Sequence, residues 1–153
     1  LYLIAYTNKN QKDRIPEKWE IEHIFPQKWH NNYITGVDDS IIKEKIEHIG
    51  NKVPFEKKLN IEASNGYFGK KKGYYKESKI EVIKELSTSP FNDWGLNNIE
   101  ARDTEVTNLI QRTLKKWVSD YDNDNLAINK NENIDEETLA MIEKLKAKGY
   151  EVK

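Results

Sequence analysis

The feature that most restricts the fold is the segment WEIEHIF, residues 19–25, in which large apolar residues alternate with glutamates. A period of two predicts a half-buried β-strand, whose successive side chains point to opposite faces. Pro26 follows directly and ends the strand, because proline has no backbone N–H to donate. An acid and a histidine, Glu22 and His23, stand side by side near the end of this strand. We therefore take these two residues as candidate functional residues.

Length and composition indicate a single domain without membrane or disulfide chemistry. The chain has 153 residues, which suits one domain of ordinary size with room for an appendage. It has no apolar run near the ~20 residues of a membrane span. It has no cysteine, which excludes disulfides and cysteine-based zinc sites and fits a reducing cytoplasm. The many Lys, Asn and Ile residues indicate an AT-rich genome, which favours a bacterial source. Because the sequence begins with Leu1 rather than Met, we expect a fragment of a longer protein.

The net charge of −1 conceals an uneven distribution of charge along the chain. Residues 52–84 carry nine lysines against four acids, whereas residues 119–153 carry five lysines against nine acids. A local basic stripe is typical of a phosphate-binding surface. The alternative interpretation is a solvated helix face, which is the commoner use of a lysine run.

A second strand and further helices are predicted downstream. Residues 51–55 predict a strand, with a helix directly after it, and Pro54 marks an edge or an end of that strand. Between the two strands, residues 40–49 have helical spacing, with Ser40 as the N-cap. The glycine-punctuated segment 65–75 predicts a loop or a broken helix.

The last third of the chain determines the predicted domain organisation. Residues 97–117 have the most regular helical spacing in the sequence. We predict a domain over residues 1–118, an acidic polar linker over 119–133 and a C-terminal helical appendage over 134–153. The appendage has acids in its first turn and lysines in its last, which suits the helix dipole.

Three polar residues stand at the ends of the predicted elements near the first strand. His23 ends the first strand, Asn51 opens the second strand 28 positions later, and Asn60 lies about one turn into the following helix. Two antiparallel strands with a helix packed across them would bring Glu22, His23 and Asn60 together at one end.

The motifs EHIFPQ, IGNKVPFEKKLN and SNGYFGKKKGYYKES resemble the HNH, or ββα-metal, nuclease superfamily. The closest resemblance is to the C-terminal nuclease domain of GmrSD-type modification-dependent restriction endonucleases and related phage-defence proteins, over about residues 1–118. That family has a Ser-Asn…Phe…Lys…Tyr…Ser run and a later Trp…Ile…Arg…Trp pattern. The matching positions here are Ser64, Asn65, Phe68, Lys71, Tyr75 and Ser78, then Trp94, Ile99, Arg102 and Trp117.

The resemblance implies an α+β fold in which a ββα-metal (His-Me finger) core is embedded in a mainly helical domain. It also implies a metal-dependent DNA endonuclease in which His23 is the general base. Glu22 and Asn60 would hold one divalent cation through oxygen atoms, which favours Mg²⁺ or Mn²⁺. Asn51 would hold the loop of the hairpin by hydrogen bonds and so position His23. This sequence departs from the superfamily pattern in having Asn60 where a histidine is common, and in its long gap between His23 and Asn51.

The basic residues that follow these motifs are the predicted contacts to DNA phosphates. They are Lys57, Lys58, Lys70, Lys71, Lys72, Lys76 and Arg102. Of these, Lys71 best matches the lysine of the family. An alternative for Arg102 is a surface ion pair with Asp103 or Glu105. His48 is interpreted as structural.

The expected partners follow from the same resemblance. They are DNA and an N-terminal nucleotide-binding or DNA-sensing domain of the same or a partner chain, with no membrane. A homodimer would cut both strands, whereas a monomer would nick one. Two alternatives remain open: a ββα nucleic-acid-binding module that has lost catalysis, and an interaction domain in which the lysines serve solubility.

Overall fold

The computed structural model describes residues 1–30, 33–131 and 144 of the chain. The chain divides into two compact units, Leu1–Thr113 and Leu114–Lys153. The candidate site lies entirely in the first unit. None of the described helices has the length and apolar character that crossing a membrane requires.

The described residues form an α+β fold, as predicted, with six α-helices and one two-stranded antiparallel sheet. In chain order the elements are α1 Tyr2–Tyr6, β1 Trp19–His23, α2 Asp39–Ile46, β2 Lys52–Glu56, α3 Lys57–Ala63, α4 Phe68–Tyr75, α5 Glu81–Ser87 and α6 Leu96–Asn131. A short 3₁₀ turn, Ile49–Asn51, leads directly into β2.

The sheet brings the two predicted strands together in a register that pairs Trp19 with Glu56 and His23 with Lys52. The sheet has two strands, so each of them is an edge strand with one unpaired side. Proline has no backbone N–H to donate and is tolerated in such a strand, as Pro54 is in β2. Helix α3 begins at the residue after β2 and contacts both strands. The predicted order of strand, strand and helix is confirmed. β1 ends at His23 rather than at Phe25, and β2 spans Lys52–Glu56 rather than residues 51–55.

The hydrophobic core packs β2 against α4 and α5. Phe55 is fully buried and meets the ring of Tyr75 edge-on, with 5.3 Å between ring centroids. Phe68 packs on Tyr75 and Trp94. Burial of one such ring stabilises the fold by about 1.5–3 kcal/mol. Helix α4 is thus anchored in this core through Phe68 and Tyr75.

Two local predictions are wrong, and packing or capping explains each. The segment 65–75 contains the regular helix α4, because Phe68, Lys71 and Tyr75 are buried at helical spacing along one face. That burial outweighs the ~1 kcal/mol that each interior glycine costs a helix. Helix α2 is capped by Asp38 rather than Ser40, since the Asp38 carboxylate accepts a hydrogen bond from the Ser40 N–H at 2.7 Å.

The C-terminal predictions are only partly covered by the described residues. Residues 119–131, predicted as linker, belong to the long helix α6. The rest of the linker and the appendage at 134–153 lie outside the described residues, apart from Lys144. The proposed division into domain, linker and appendage stays a prediction.

Candidate active site

A polar cavity of about 180 Å³ opens at the C-terminal end of β1. It is lined by side chains from β1, the loop after it, α3 and α4. They include Glu22, His23, Gln27, Asn60, Asn65 and Lys71. Glu22, His23 and Asn60, which the sequence predicted to lie together, therefore line one cavity.

Glu22 is buried and is held by two donors from α4. Its Oε1 accepts a hydrogen bond from the Tyr75 hydroxyl at 2.6 Å and forms an ion pair with Lys71 Nζ at 2.8 Å. Burial lowers the pKa of Lys71, and the charge of Glu22 opposes that shift. Burial also raises the pKa of Tyr75 well above its ordinary value, so the hydroxyl remains a donor. Both contacts use Oε1, which leaves Oε2 as the oxygen for a ligand in the cavity.

Lys71 also fixes the backbone at the end of β1. Its Nζ donates to the carbonyl oxygen of His23 at 2.6 Å. The lysine is 1% exposed, so a single buried ammonium orients the Glu22 carboxylate and the main chain of His23 together.

His23 has two differently placed ring nitrogens. Nε2 is shielded from solvent, without a hydrogen-bond partner among the described residues, and lies 3.4 Å from Oε1 of Glu47. His23 is one of the residues that line the cavity. Because Nε2 is shielded, Nδ1 is the ring nitrogen left to accept a proton from a water molecule. Burial lowers the pKa of His23 below its ordinary value of 6.5, and the negative charge of Glu47 partly opposes this shift. The imidazole is consequently neutral at neutral pH, as a general base must be.

Asn51 ties the chain just beyond His23 to the turn before β2. The side chain is fully buried; it accepts a hydrogen bond from the N–H of Phe25 at 2.7 Å and donates to the carbonyls of Phe25 and Ile46 at 3.1 and 2.9 Å. Its own carbonyl accepts from the N–H of Ile24 at 2.9 Å. These bonds fix the backbone on which His23 stands.

Asn60 presents its amide to the same cavity from α3. Its Nδ2 donates to Oε2 of Glu20 at 3.4 Å, which directs the carbonyl end of the amide away from that carboxylate. Glu20 is held by Lys57 at 2.9 Å, and the hydrogen bond from Lys57 lowers the pKa of Glu20. Asn60 is therefore able to offer an oxygen to a ligand.

The donor set fits a hard divalent cation held by few protein atoms. The described residues contain no group of three or more His, Asp or Glu side chains placed to bind a metal. The cavity does offer a carboxylate oxygen from Glu22 and an amide oxygen from Asn60. Oxygen donors in small number suit Mg²⁺ or Mn²⁺, which retain several waters or take phosphate oxygens.

The comparisons with known proteins decide the family. The model of the C-terminal domain of GmrSD restriction endonucleases matches residues 1–109. The chain belongs to this family. The resemblance drawn from the motifs is thereby confirmed at the level of the family. The curated proteins and the solved structures compared with the chain contain no match to it.

Arg102 of this GmrSD C-terminal domain does not lie on the surface as a phosphate contact. It is 8% exposed, and its Nη1 donates to the carbonyls of Ile49, Gly50 and Lys52 at 3.3, 2.9 and 3.1 Å. Burial lowers its pKa to about 10, so the guanidinium keeps its charge. The arginine braces the 3₁₀ turn that carries Asn51, because buried carbonyls at this turn need donors. The predicted surface pair with Asp103 or Glu105 is not formed either.

Asp103 supports the same turn from α6. Its two carboxylate oxygens contact the N–H of Gly50 and Nδ1 of His48, each at 2.5 Å. A side chain on Gly50 would collide with the backbone of Ile99 and Asp103, so glycine is required where the turn meets the helix. His48 therefore contacts a carboxylate outside the cavity, in keeping with its predicted structural role.

The predicted lysines fall into three groups. Lys71 is buried in the cavity, contrary to a place on an outer phosphate-binding surface. Lys72 is half-buried, donating to the Ser89 carbonyl at 2.5 Å and lying over the Phe68 ring. The remaining four are exposed: Lys57 and Lys58, which pair with glutamates, together with Lys70 and Lys76. Only this last group presents charge to a large ligand.

The sequence did not indicate Glu47, and it offered Ser64 and Asn65 as motif positions without a role. Glu47 faces His23 from the insertion between the strands, and no spacing rule links the two positions. Ser64 ends α3 with a φ of 48°, a conformation that residues other than glycine rarely adopt. The next residue, Asn65, accepts a hydrogen bond from the Lys28 N–H at 3.3 Å and so ties the loop after β1 to the cavity.

Proposed function

We propose that this domain is a metal-dependent DNA endonuclease that hydrolyses phosphodiester bonds. The observation that carries the proposal is the convergence of Glu22, His23, Asn60 and Lys71 on one polar cavity. Membership of a restriction endonuclease family agrees with it. In the bacterial cytoplasm the domain would be the effector of a restriction or anti-phage defence protein.

The core of the proposed fold is of the ββα-metal (His-Me finger, HNH) type. In its support, β1 and β2 are antiparallel, α3 follows β2 without a loop, and the histidine ends the first strand. The cavity lies where these three elements meet. This is the arrangement that brings a base and a cation ligand to one scissile phosphate.

His23 is the general base in this proposal. Its Nδ1 takes a proton from a water molecule in the cavity as the water oxygen attacks phosphorus. The bond from phosphorus to the 3′ oxygen breaks, and the leaving oxygen takes a proton from solvent. The lowered pKa keeps the ring neutral at neutral pH, so that one of its two nitrogens can accept a proton. The contacts of Lys71 and Asn51 on the surrounding backbone hold the ring in place.

Glu22 and Asn60 would hold one divalent cation, Mg²⁺ or Mn²⁺. Such a cation supplies Lewis-acid polarisation of the phosphate and neutralises charge on the leaving oxygen. Glu22 contributes a carboxylate that is already oriented by Tyr75 and Lys71. The Lys71 ammonium adds fixed positive charge beside the phosphate, in a cavity where charge is weakly screened.

The exposed lysines carry the proposed contact with the DNA backbone. Lys57, Lys58, Lys70 and Lys76 lie on α3, α4 and the end of α4, the elements that line the cavity. An N-terminal nucleotide-binding or DNA-sensing domain would recruit the substrate, and a homodimer would cleave both strands.

Cleavage of a supercoiled plasmid tests the function. Wild-type protein, His23→Ala and the matched control His30→Ala are compared in Mg²⁺, in Mn²⁺ and with EDTA. His30 is an exposed histidine from the loop after β1, and it does not line the cavity. We expect metal-dependent nicking by wild type and control, and a loss of about 10²–10⁴-fold in His23→Ala.

Two results would contradict the proposal. Cleavage that survives in His23→Ala or in EDTA would assign the activity to another site or to a contaminant. Salt-dependent DNA binding by a protein that never cleaves would favour the alternative of an inactive binding module.

A further inference from the structure

Glu47 belongs to the insertion between the two strands and faces the proposed base from outside the cavity. It caps the C-terminus of α2, and its side chain is 53% exposed. Its Oε1 lies 3.4 Å from Nε2 of His23. This distance is long for a formed hydrogen bond, as is common for catalytic contacts before substrate binds.

In the described part of the chain, the charged group that lies within 4 Å of Nε2 is the carboxylate of Glu47. The atom is shielded from solvent and has no hydrogen-bond partner among the described residues. A carboxylate can only accept hydrogen bonds. If Nε2 carried its lone pair toward Glu47, two acceptors would face each other, and Nε2 is too shielded for water to donate to it instead. A proton on Nε2 removes that conflict and turns the contact into a donor–acceptor pair.

Lys52 keeps Glu47 ionised and fixes its direction. The Lys52 Nζ lies 2.6 Å from Oε2 of Glu47, and this hydrogen bond lowers the pKa of the carboxyl group. Lys52 is also the residue paired with His23 across the sheet. The strand register thus places the lysine beside the histidine, and the lysine holds one oxygen of the carboxylate whose other oxygen lies near Nε2.

We propose that Glu47 is a positioning residue that keeps the proton of neutral His23 on Nε2 and so leaves the Nδ1 lone pair directed at the cavity. The inference rests on the proposed function for its catalytic meaning, but the position of the proton is a property of the protein without substrate or metal. A carboxylate beside one ring nitrogen sets which nitrogen carries the proton.

The first test is the protonation state of each ring nitrogen by two-bond ¹H–¹⁵N correlation, in metal-free protein at a pH well above the ordinary pKa of histidine. The chain has three histidines, so His30→Ala and His48→Ala spectra assign the signals of His23. We expect a proton on Nε2 in the wild type. In Glu47→Lys a donor replaces the acceptor, and we expect the proton to move to Nδ1.

The second test separates positioning from binding. Glu47 does not line the cavity, so kcat should fall while KM changes little. The expected loss is about 10-fold for Glu47→Ala and about 100-fold for Glu47→Lys. Glu44→Lys is the matched control, because Glu44 is exposed on the same helix and the charge change is identical.

A failure of this inference and a failure of the proposed function would give different results. A wild-type His23 with its proton on Nδ1, or an unchanged proton position in Glu47→Lys, would overturn the inference whatever the activity. Equal losses in Glu44→Lys and Glu47→Lys would also overturn it, since they would indicate a general charge effect on DNA binding. A wild type that never cleaves DNA would refute the proposed function, while the ring spectra would still decide the position of the proton.

Discussion

Lys71 and Glu22 form a buried ion pair, with 2.8 Å between Nζ and Oε1 and exposures of 1% and 3% for the two residues. Each partner comes from a different element, α4 and β1. The pair therefore joins the helix to the strand end at the cavity. Taking two charges out of water is costly, and the pair is stable only while both members are present.

Replacing Lys71 with Met should lower the free energy of unfolding by about 3 kcal/mol, because the Glu22 carboxylate is left buried without its cation. Urea denaturation followed by circular dichroism measures the change. The matched control is Lys70→Met, at the exposed neighbouring position on α4, which should remain close to the wild type. The double variant Lys71→Met with Glu22→Gln should recover part of the stability, and a double variant less stable than Lys71→Met would contradict the explanation.

Replacing Glu22 with Gln should weaken binding of Mn²⁺ to the DNA-free protein by about tenfold or more, because the site is deprived of its single carboxylate ligand. Titration calorimetry measures the dissociation constant directly, without reference to cleavage. Glu62→Gln, an exposed change on α3, is the control and should bind Mn²⁺ as the wild type does. Equal affinity for Mn²⁺ in the wild type and Glu22→Gln would remove Glu22 from the cation site.

The pH dependence of cleavage should show one acidic limb due to His23. Burial lowers the pKa of this ring, so the active neutral form persists below the ordinary value of 6.5. The rate constant kcat/KM should therefore rise with pH through a midpoint below that value and then level off. Glu47→Ala removes the carboxylate that opposes the shift, so its midpoint should move further toward acid. A midpoint that moves toward alkaline pH in that variant would show that Glu47 does not act on the ring.

Alanine variants of Asn51 and Asn60 should differ in which property they lose: Asn51→Ala should lose stability, and Asn60→Ala should lose activity. Asn51→Ala leaves backbone groups of Phe25 and Ile46 unsatisfied inside the protein, at about 1–3 kcal/mol for each such group. Asn60 is half-buried and makes one long contact, so Asn60→Ala should unfold close to the wild type yet cleave poorly. Thermal unfolding and plasmid cleavage on both variants check this. The reverse pattern would exchange the roles assigned to the two asparagines.

The sequence could predict those parts of the site that depend on local pattern. The pattern at 19–25 located β1, although the strand ends at His23 and buries Glu22 rather than Ile21. The order of strand, strand and helix predicted that Asn60 would lie close to Glu22 and His23. The α4 helix was missed because its glycines suggested a break, whereas the fold buries Phe68 and Tyr75 along one face. Helix propensity is assigned residue by residue, so it does not include the free energy gained by burying these side chains.

Contacts between distant segments were beyond local reasoning. Lys71 lies in a run of three lysines, and nothing in the run distinguishes the buried member from its exposed neighbour Lys70. Its partner Glu22 belongs to a strand that is far away in the sequence. Glu47 lies in an insertion, and its approach to His23 depends on the path of the chain between α2 and β2. Arg102 was assigned to phosphate by its type, but the carbonyls of the 3₁₀ turn occupy it.

The difference between Arg102 and the exposed lysines leads to a prediction about DNA binding. Lys70→Ala with Lys76→Ala should weaken binding and reduce the slope of log Kd against log salt by about 1 for each lysine that neutralises a phosphate. Arg102→Lys should leave that slope unchanged, because the arginine side chain donates to backbone carbonyls, and it should instead lower the unfolding temperature. Fluorescence anisotropy with a labelled duplex at several salt concentrations, beside thermal unfolding, measures both quantities. A smaller slope of log Kd against log salt in Arg102→Lys, at unchanged stability, would show that the arginine does contact DNA phosphates.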